Sequence, residues 1–525
     1  MYWNYGDLFD GCGDVLDPLS VALIHGERTV NWGDLTARSN NLARAMLEGG
    51  AVAGDKVAIY LRNCPEYMET LVACFKARLV PVNVNYRYQD DELFYILENS
   101  DARFVIHSVE FADHVSNLQR RLPTVQWLDL AGRYEQAVSR GDGSPLSIKR
   151  SGEDMLFVYT GGTTGAPKAV MWRQQDIWHA LRSGRASPCN RGKAVASPVE
   201  HLENLRQFGS ARRQLTACPL MHGTGLMTSM SSLCGGAAIV TLTGHGFDPE
   251  ELWDAVETHK VNGMVIVGDA FARPMLQALE DNPGRWDISS LKNVVSSGVM
   301  WSPATKRGLL EYNAELTLMD AFGSSEALGF GSSITTADNV TATAKFVVGE
   351  HCKVFTEDFD EVQPGSGQRG FIARPGPIPM GYYKDEEKSS KTFPTINGVR
   401  YSIPGDWCTV EADGSLTLLG RGSACINSAG EKIYPEEVEE MLKTHPDVED
   451  ALVFGMEDEK WGQAVTAVLT LRTGAILDAE AIRAYVRSRL AHYKVPKSVW
   501  ASIDAFRSPS GKADYLSAKA FVDSL

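Results

Sequence analysis

Apolar positions over the first 330 residues fall into two alternating rhythms. Short β-rich runs, Lys56-Val-Ala-Ile-Tyr-Leu61, Phe104-Val-Ile106, Met155-Leu-Phe-Val158, Ala238-Ile-Val-Thr-Leu242, Met264-Val-Ile-Val267 and Val294-Val295, read as buried strands. Between them, segments such as Leu35 to Leu47 and Glu66 to Arg78 read as helices. Strand–helix alternation sustained over this length predicts parallel α/β layers.

From residue 345 to 420 strands and turns take over, marked by Pro364-Gly-Ser-Gly367, Pro375-Gly-Pro-Ile-Pro379 and Asp413-Gly414. This predicts a β-rich subdomain closing the large domain. The texture changes again after Arg421. Glu436 to Lys443 is predicted as a helix with Val438, Met441 and Leu442 on one face. Strands over 451–454 and 465–471 follow, then a helix with Ile482, Tyr485, Val486 and Leu490 in register. The result is a compact α+β domain of roughly a hundred residues.

Composition narrows the function. A chain of 525 residues exceeds one ordinary core, so two or more domains are expected. The net charge of −15 argues against a nucleic-acid partner, which would favour a basic face. No apolar run approaches a bilayer-spanning length. Met1-Tyr-Trp-Asn-Tyr-Gly-Asp7 has neither the basic start nor the apolar stretch of a signal peptide, and Asp523-Ser-Leu525 only faintly echoes a peroxisomal ending, so cytoplasm is the default. Nine cysteines, scattered from Cys12 to Cys425 without a C-x-x-C pair, fit reduced buried thiols rather than a disulfide or zinc framework. The absence of a G-x-S-x-G elbow weakens a hydrolase reading.

The candidate chemistry begins at Tyr159-Thr-Gly-Gly-Thr-Thr-Gly-Ala-Pro-Lys168. Gly161, Gly162 and Gly165 free the backbone to curl around an anion. Thr160, Thr163 and Thr164 add hydroxyl donors, and Lys168 adds a charge. This is equipment for phosphate, but no Gly-Lys-Ser/Thr follows at Walker A spacing. A flexible surface loop would explain neither the strand before it nor the Pro-Lys ending.

The string resembles the phosphate loop of the adenylate-forming enzymes, the superfamily of acyl-CoA synthetases, peptide-synthetase adenylation domains and beetle luciferases. Gly161 stands where Ser is usual there, and Ala169 where Gly is usual. The resemblance implies activation of a carboxylic acid: its carboxylate attacks the α-phosphate of ATP, magnesium-bound pyrophosphate leaves, and a thiol displaces AMP from the acyl-adenylate. Fixed donors, cations and a metal must stabilise the charge that develops.

Further motifs extend the likeness. Asp320-Ala-Phe-Gly-Ser-Ser-Glu326 resembles the family's Tyr-Gly-x-Thr-Glu motif. That implies Phe322 stacking on adenine, Gly323 in the turn, Ser325 on the α-phosphate and Glu326 as the Mg²⁺ ligand. Gly298, in Ser297-Gly-Val-Met300, matches a turn forming the wall of the adenine and acyl pocket. Asp406, in Gly405-Asp-Trp407, would accept hydrogen bonds from the ribose hydroxyls. Arg421, in Gly420-Arg421, would contact ribose and phosphate. Lys512, in Pro509-Ser-Gly-Lys512, is implied as the principal catalytic residue of adenylation, swinging in with the small domain. The expected domains are therefore 1–421 for ATP and acid, a hinge at 422–424 and a mobile cap at 425–525. Ser423 occupies a hinge position where the family usually has Asp or Lys. Gly430, in the segment from Asn427 to Pro435, would let the pantetheine arm of CoA pass.

His222, in Pro219-Leu-Met-His-Gly-Thr-Gly225, would sit near the reacting carboxylate, with a structural histidine as the alternative. Leu220, Met221, Leu226, Met227 and Met230 make its surroundings apolar and pliable, as an acyl pocket or a core would be. No aspartate stands where amino-acid-activating domains pair a substrate ammonium. Val170-Met-Trp172, Val267-Gly-Asp-Ala-Phe-Ala-Arg273 and Gly422-Ser-Ala-Cys-Ile-Asn427 resemble bacterial fatty-acid and steroid-side-chain CoA ligases, implying a hydrophobic acid and CoA. Arg185, Arg191, Lys193, Arg206 and Arg212 lie in a basic stretch that reads as a solvated loop, with membrane or CoA phosphates as alternatives. An acyl-AMP ligase loading a carrier protein and a ligase for a smaller or aromatic acid are the competing readings. A homodimer is left open.

Overall fold

The computed structural model describes residues 3–525 except 161–166, 182–186, 300, 340–343, 422–425, 429–430, 434, 459–461, 491 and 508–512. At 188, 421, 427, 431, 432 and 462 it describes the backbone alone. The chain packs as two units, one of Met1–Thr341 with Arg374–Ser402, the other of Ala342–Ala373 with Ile403–Leu525.

The first unit is built on two sheets. A 7-stranded sheet runs in the order Gly381–Tyr382, Lys168–Arg173, Met155–Thr160, Val80–Asn83, Lys56–Tyr60, Ala102–His107, Gln126–Asp129. Its strands from Met155–Thr160 onward pair in parallel, while Lys168–Arg173 and Gly381–Tyr382 add on antiparallel. In the second sheet Thr317–Ser324, Asn293–Ser297, Gly263–Ile266, Arg213–Thr216, Ala238–Thr241 and Val21–His25 are successive parallel neighbours. Val80–Asn83, Ala238–Thr241 and Gly263–Ile266 are buried at every position, as strands covered by helices on both faces must be. The expected α/β class and parallel layering are observed.

Helix ends follow local chemistry. The helix expected from Leu35 spans Trp32–Glu48, started by Asn31, whose side chain accepts from the Asp34 N–H. The one expected from Glu66 spans Pro65–Lys76, with proline at the first turn where its missing N–H costs nothing. That helix is buried on every side, so its charges are paired. Lys76 Nζ meets Asp10 at 3.1 Å and Asn40 Oδ1 at 2.8 Å. Glu69 accepts from Arg38 Nε and from the Tyr134 hydroxyl, each at 2.8 Å.

In the second unit, Asp406–Val410 and Leu416–Arg421 form an antiparallel pair. A 5-stranded sheet contains Val448–Asp458, Gly462–Leu471 and Ser498–Ala501 among its strands. Val438, Leu442, Val453, Val465, Ile482 and Val486 share one core beneath it. Val438, Met441 and Leu442 of helix Pro435–Lys443 and Ile482 and Val486 of helix Ala479–Arg487 face this core, whereas Tyr485, expected beside them, bonds Thr444, and Leu490 lies past the helix end. Helix Pro435–Lys443 also packs on Leu416–Arg421, so packing splits the expected β-rich subdomain: Ala342–Ala373 and the chain from Ile403 go with the C-terminal residues across Arg421, and Arg374–Ser402 goes with the first unit.

Candidate active site

Thr160 and Lys168 oppose one another at the open end of the antiparallel pair Met155–Thr160 and Lys168–Arg173. Gly161, Gly162, Thr163, Thr164 and Gly165 lie outside the described residues, but both ends of their segment are held by this ladder. Ala169, the departure from the usual glycine, is fully buried in the cluster containing Ala58, Val82 and Phe157. Its carbonyl accepts from the Tyr383 N–H at 2.9 Å. The methyl group fills core space that glycine would leave empty. Lys168 pairs through Nζ with Asp385. The hydrogen bond from Lys168, with the N–H of Lys388, holds the Asp385 carboxyl below its ordinary range.

The Asp320–Glu326 motif lies in a hairpin. Strand Thr317–Ser324 runs through the motif and pairs with Ala327–Thr335, Ser324 opposite Ala327. The register shifts between Phe322 and Ser324. There a side chain on Gly323 would meet the Ala327 carbonyl oxygen at 3.0 Å, so the bulge admits only glycine without displacement. Phe322 is buried, its ring tilted 44° against Phe330 at 5.3 Å.

Ser325 and Glu326 occupy the hairpin tip and are held on several sides. Trp172 Nε1 donates to the Ser325 carbonyl at 2.8 Å, and Ser402 Oγ donates to the Glu326 carbonyl at 2.7 Å. The Tyr382 hydroxyl donates to Glu326 Oε1 at 2.8 Å. Oε2 has no hydrogen bond among the described residues. No motif drew attention to Tyr382 or Ser402 as partners of Glu326, or to Trp172 as a partner of Ser325. Trp172 had entered only through the ligase likeness.

His222 begins the helix Gly223–Cys234, and the Leu226 N–H donates to its carbonyl at 2.9 Å. A Cβ added to Gly223 would stand 3.4 Å from Ser325 Oγ, so this helix start abuts the Glu326 hairpin. Asn83 joins it to the phosphate-loop strand. Its Oδ1 accepts from the Tyr159 N–H at 2.7 Å, and its Nδ2 donates to the carbonyls of Tyr159 at 3.2 Å and Met221 at 2.5 Å. Asn63 anchors the same segment through the Leu220 N–H and the Cys218 carbonyl. Leu220, Leu226, Met227 and Met230 belong to the large buried core. Gly298, with φ +90°, ends strand Asn293–Ser297 in a conformation that favours glycine.

In the second unit Asp406 is buried and lies directly across the ladder from Arg421. Their separation in sequence becomes adjacency in a hairpin. Gly430 and Lys512 lie outside the described residues, as does Arg185. Part of the basic stretch read as a loop is helical. Pro198–Phe208 is capped by Ser197, and Arg191 lies over the Phe208 ring at 3.8 Å.

Among the described residues no group of three or more His, Cys, Asp or Glu is arranged to hold a metal. No described helix is long and apolar enough to cross a membrane.

A family model described as AMP-binding enzyme matches residues 17–383, and one described as AMP-binding enzyme C-terminal domain matches 437–512. The chain belongs to the AMP-binding enzyme family. The adenylate-forming resemblance drawn from the phosphate-loop and Glu326 motifs is borne out. The chain is 40% identical to a medium/long-chain-fatty-acid–CoA/3-oxocholest-4-en-26-oate–CoA ligase of Mycobacterium marinum, over 98% of this chain and 96% of that one. It is 41% identical to a 3-oxocholest-4-en-26-oate–CoA ligase of Rhodococcus rhodochrous, over 99% and 96%. The likeness to fatty-acid and steroid side-chain ligases therefore holds along the whole AMP-binding enzyme. Its fold matches that of an anthranilate CoA ligase solved with anthranoyl-AMP, with TM-score 0.85, 20% identity and coverage of 100% and 98%.

Proposed function

We propose that this AMP-binding enzyme is an ATP-dependent carboxylic acid–CoA ligase acting on a hydrophobic acid, of fatty, branched or steroid side-chain type, through an acyl-adenylate. The observation that carries the reading is convergence. The Thr160–Lys168 stem, the Glu326 hairpin and the His222 helix start are joined by Asn83, Trp172 and Tyr382, and Gly223 lies close to Ser325. The whole-length likeness to the two ligases supports the choice of acid and of CoA.

In the first half-reaction an acid oxygen bonds to the α-phosphorus and pyrophosphate leaves. Thr160, Gly161, Gly162, Thr163, Thr164, Gly165 and Lys168 bind the phosphates. Gly298, Phe322 and Gly323 border the adenine, Ser325 donates to the α-phosphate, and Asp406 and Arg421 hold the ribose. His222 stands at the acid, and Lys512 neutralises the reacting oxygens. In the second half-reaction the CoA sulfur bonds to the carbonyl carbon, AMP leaves, and Gly430 gives passage to the pantetheine arm. Residues 422–424 are the proposed hinge between 1–421 and the cap 425–525.

Glu326 fits Mg²⁺: one buried carboxylate with Oε2 left over suits an ion whose other ligands are phosphate oxygens and water. Bound with ATP, Mg²⁺ supplies neutralisation of the leaving pyrophosphate.

The test mixes enzyme, ATP, Mg²⁺, CoA and a panel of fatty, steroid side-chain and aromatic acids, and reads acyl-CoA by mass. Thioesters of the bulky hydrophobic acids are expected. AMP release with a good acid but without thioester would overturn the CoA assignment in favour of a carrier-protein acceptor. Turnover confined to aromatic acids would overturn the acid class.

A further inference from the structure

The strand Gly381–Tyr382 is bound to the phosphate-loop stem, Tyr382 opposite Val170 and Gly381 opposite Met171. From there the Tyr382 side chain reaches Glu326, 56 positions away in sequence. Every other part of the tyrosine is immobilised. Its N–H donates to Ser389 Oγ at 2.8 Å, its ring packs 5.8 Å from Phe393, and the residue is only 6% exposed. The backbone of Glu326 is equally constrained, its N–H bonded to Ser324 Oγ and its carbonyl to Ser402.

A carboxylate offers two equivalent oxygens and turns freely about its last bond. A donor fixed on one oxygen selects a single plane and directs the other outward. Here that donor is a phenol carried by the strand that also borders Lys168, through Asp385 at the end of the same segment. Phosphate-loop stem and carboxylate are thus referred to one another by a single short strand.

We propose that Tyr382 is the positioning residue for Glu326: its hydroxyl fixes Oε1 so that Oε2 is presented to Mg²⁺ in register with the phosphate-loop stem. The inference rests on the reading of Glu326 as the metal carboxylate. The hydroxyl touches neither nucleotide nor acid in this role, and its effect runs wholly through Glu326.

The test is calorimetric ATP binding at stepped Mg²⁺ concentrations and in EDTA, with thermal unfolding alongside. Tyr382→Phe keeps the ring and removes the hydroxyl. It is expected to raise the Mg²⁺ concentration for half-maximal tight ATP binding about tenfold, as loss of a partner behind a metal ligand does. ATP binding in EDTA should stay unchanged. Glu326→Gln should give a comparable rise, and Tyr382→Phe added to Glu326→Gln should add nothing further, since both remove one device. An unchanged Mg²⁺ midpoint in Tyr382→Phe, or an equal loss of ATP affinity with and without Mg²⁺, would overturn the positioning role alone. A wild-type enzyme whose ATP binding ignores Mg²⁺ would instead overturn the reading of Glu326, and the role of Tyr382 with it.

Discussion

Arg507 closes a two-pronged ion pair onto Asp450, Nε to Oδ2 at 2.5 Å and Nη2 to Oδ1 at 3.0 Å. Arg507 and Ala513 also form a β-bridge, and the Asp514 N–H donates to the Phe506 carbonyl at 2.8 Å. The residues on either side of the segment carrying Lys512 are therefore tied to one another, and Arg507 is tied to the strand Val448–Asp458. Removing one partner of such a partly buried pair leaves the other charge uncompensated. Asp450→Ala should cost the C-terminal unit about 3 kcal/mol, read by denaturant unfolding. It should also slow adenylation more than thioester formation from supplied acyl-adenylate; equal slowing would break the link to Lys512.

The same pair predicts a pH dependence. Burial pushes the Asp450 carboxyl up, but the Arg507 hydrogen bond and charge outweigh burial and hold it below its ordinary value. A depressed native pKa means the contribution is complete above the unfolded value of about 3.9 and is lost as pH falls through the native one. The Tm gap between wild type and Asp450→Asn should be constant near neutrality and narrow below about pH 4. A gap that widens with acid would contradict this.

Lys512→Ala should abolish most adenylation, about a hundredfold or more, because the charge on the reacting oxygens loses its fixed counter-ion. Thioester formation from supplied acyl-adenylate should persist. Quench-flow of the two half-reactions separates these outcomes, and equal loss of both would remove Lys512 from its assigned step.

Lys168→Ala should raise the KM for ATP about tenfold, the scale of one charge-assisted hydrogen bond. Asp385→Ala, which frees the same ammonium, should change it less than about threefold, because half-exposed ion pairs contribute little. Steady-state kinetics in ATP decide it: a larger effect from Asp385→Ala would give the aspartate the more important role.

Asn83→Ala should cost about 3 kcal/mol, since the buried Tyr159 N–H and the Met221 carbonyl would each lose a partner. Adenylation should fall with it, as the phosphate-loop strand and the His222 helix start lose their common tie. Full activity in a destabilised Asn83→Ala enzyme would show the tie to be structural alone.

The Tyr159–Lys168 and Asp320–Glu326 motifs were legible because the family places their residue types at short, local spacings. Alternating apolar runs likewise announced the parallel layers, since strands buried on both faces cannot hide their composition. The hairpin that carries Asp320–Glu326 was not legible, because its polar residues look like loop residues. The pairing with Ala327–Thr335 keeps it extended, through hydrogen bonds that composition does not record.

What the sequence by itself determined is the inventory: the family's motifs, the layered α/β class and the α+β end. Only the tertiary structure decided which groups orient that inventory. Asn83 reaches Met221 across 138 positions and Tyr382 reaches Glu326 across 56. Neither spacing forms a local pattern, because the distance is closed by strands lying side by side. Ala169 joins the two levels: a departure from a motif in the sequence, and a methyl group buried in the core of the sheet once folded.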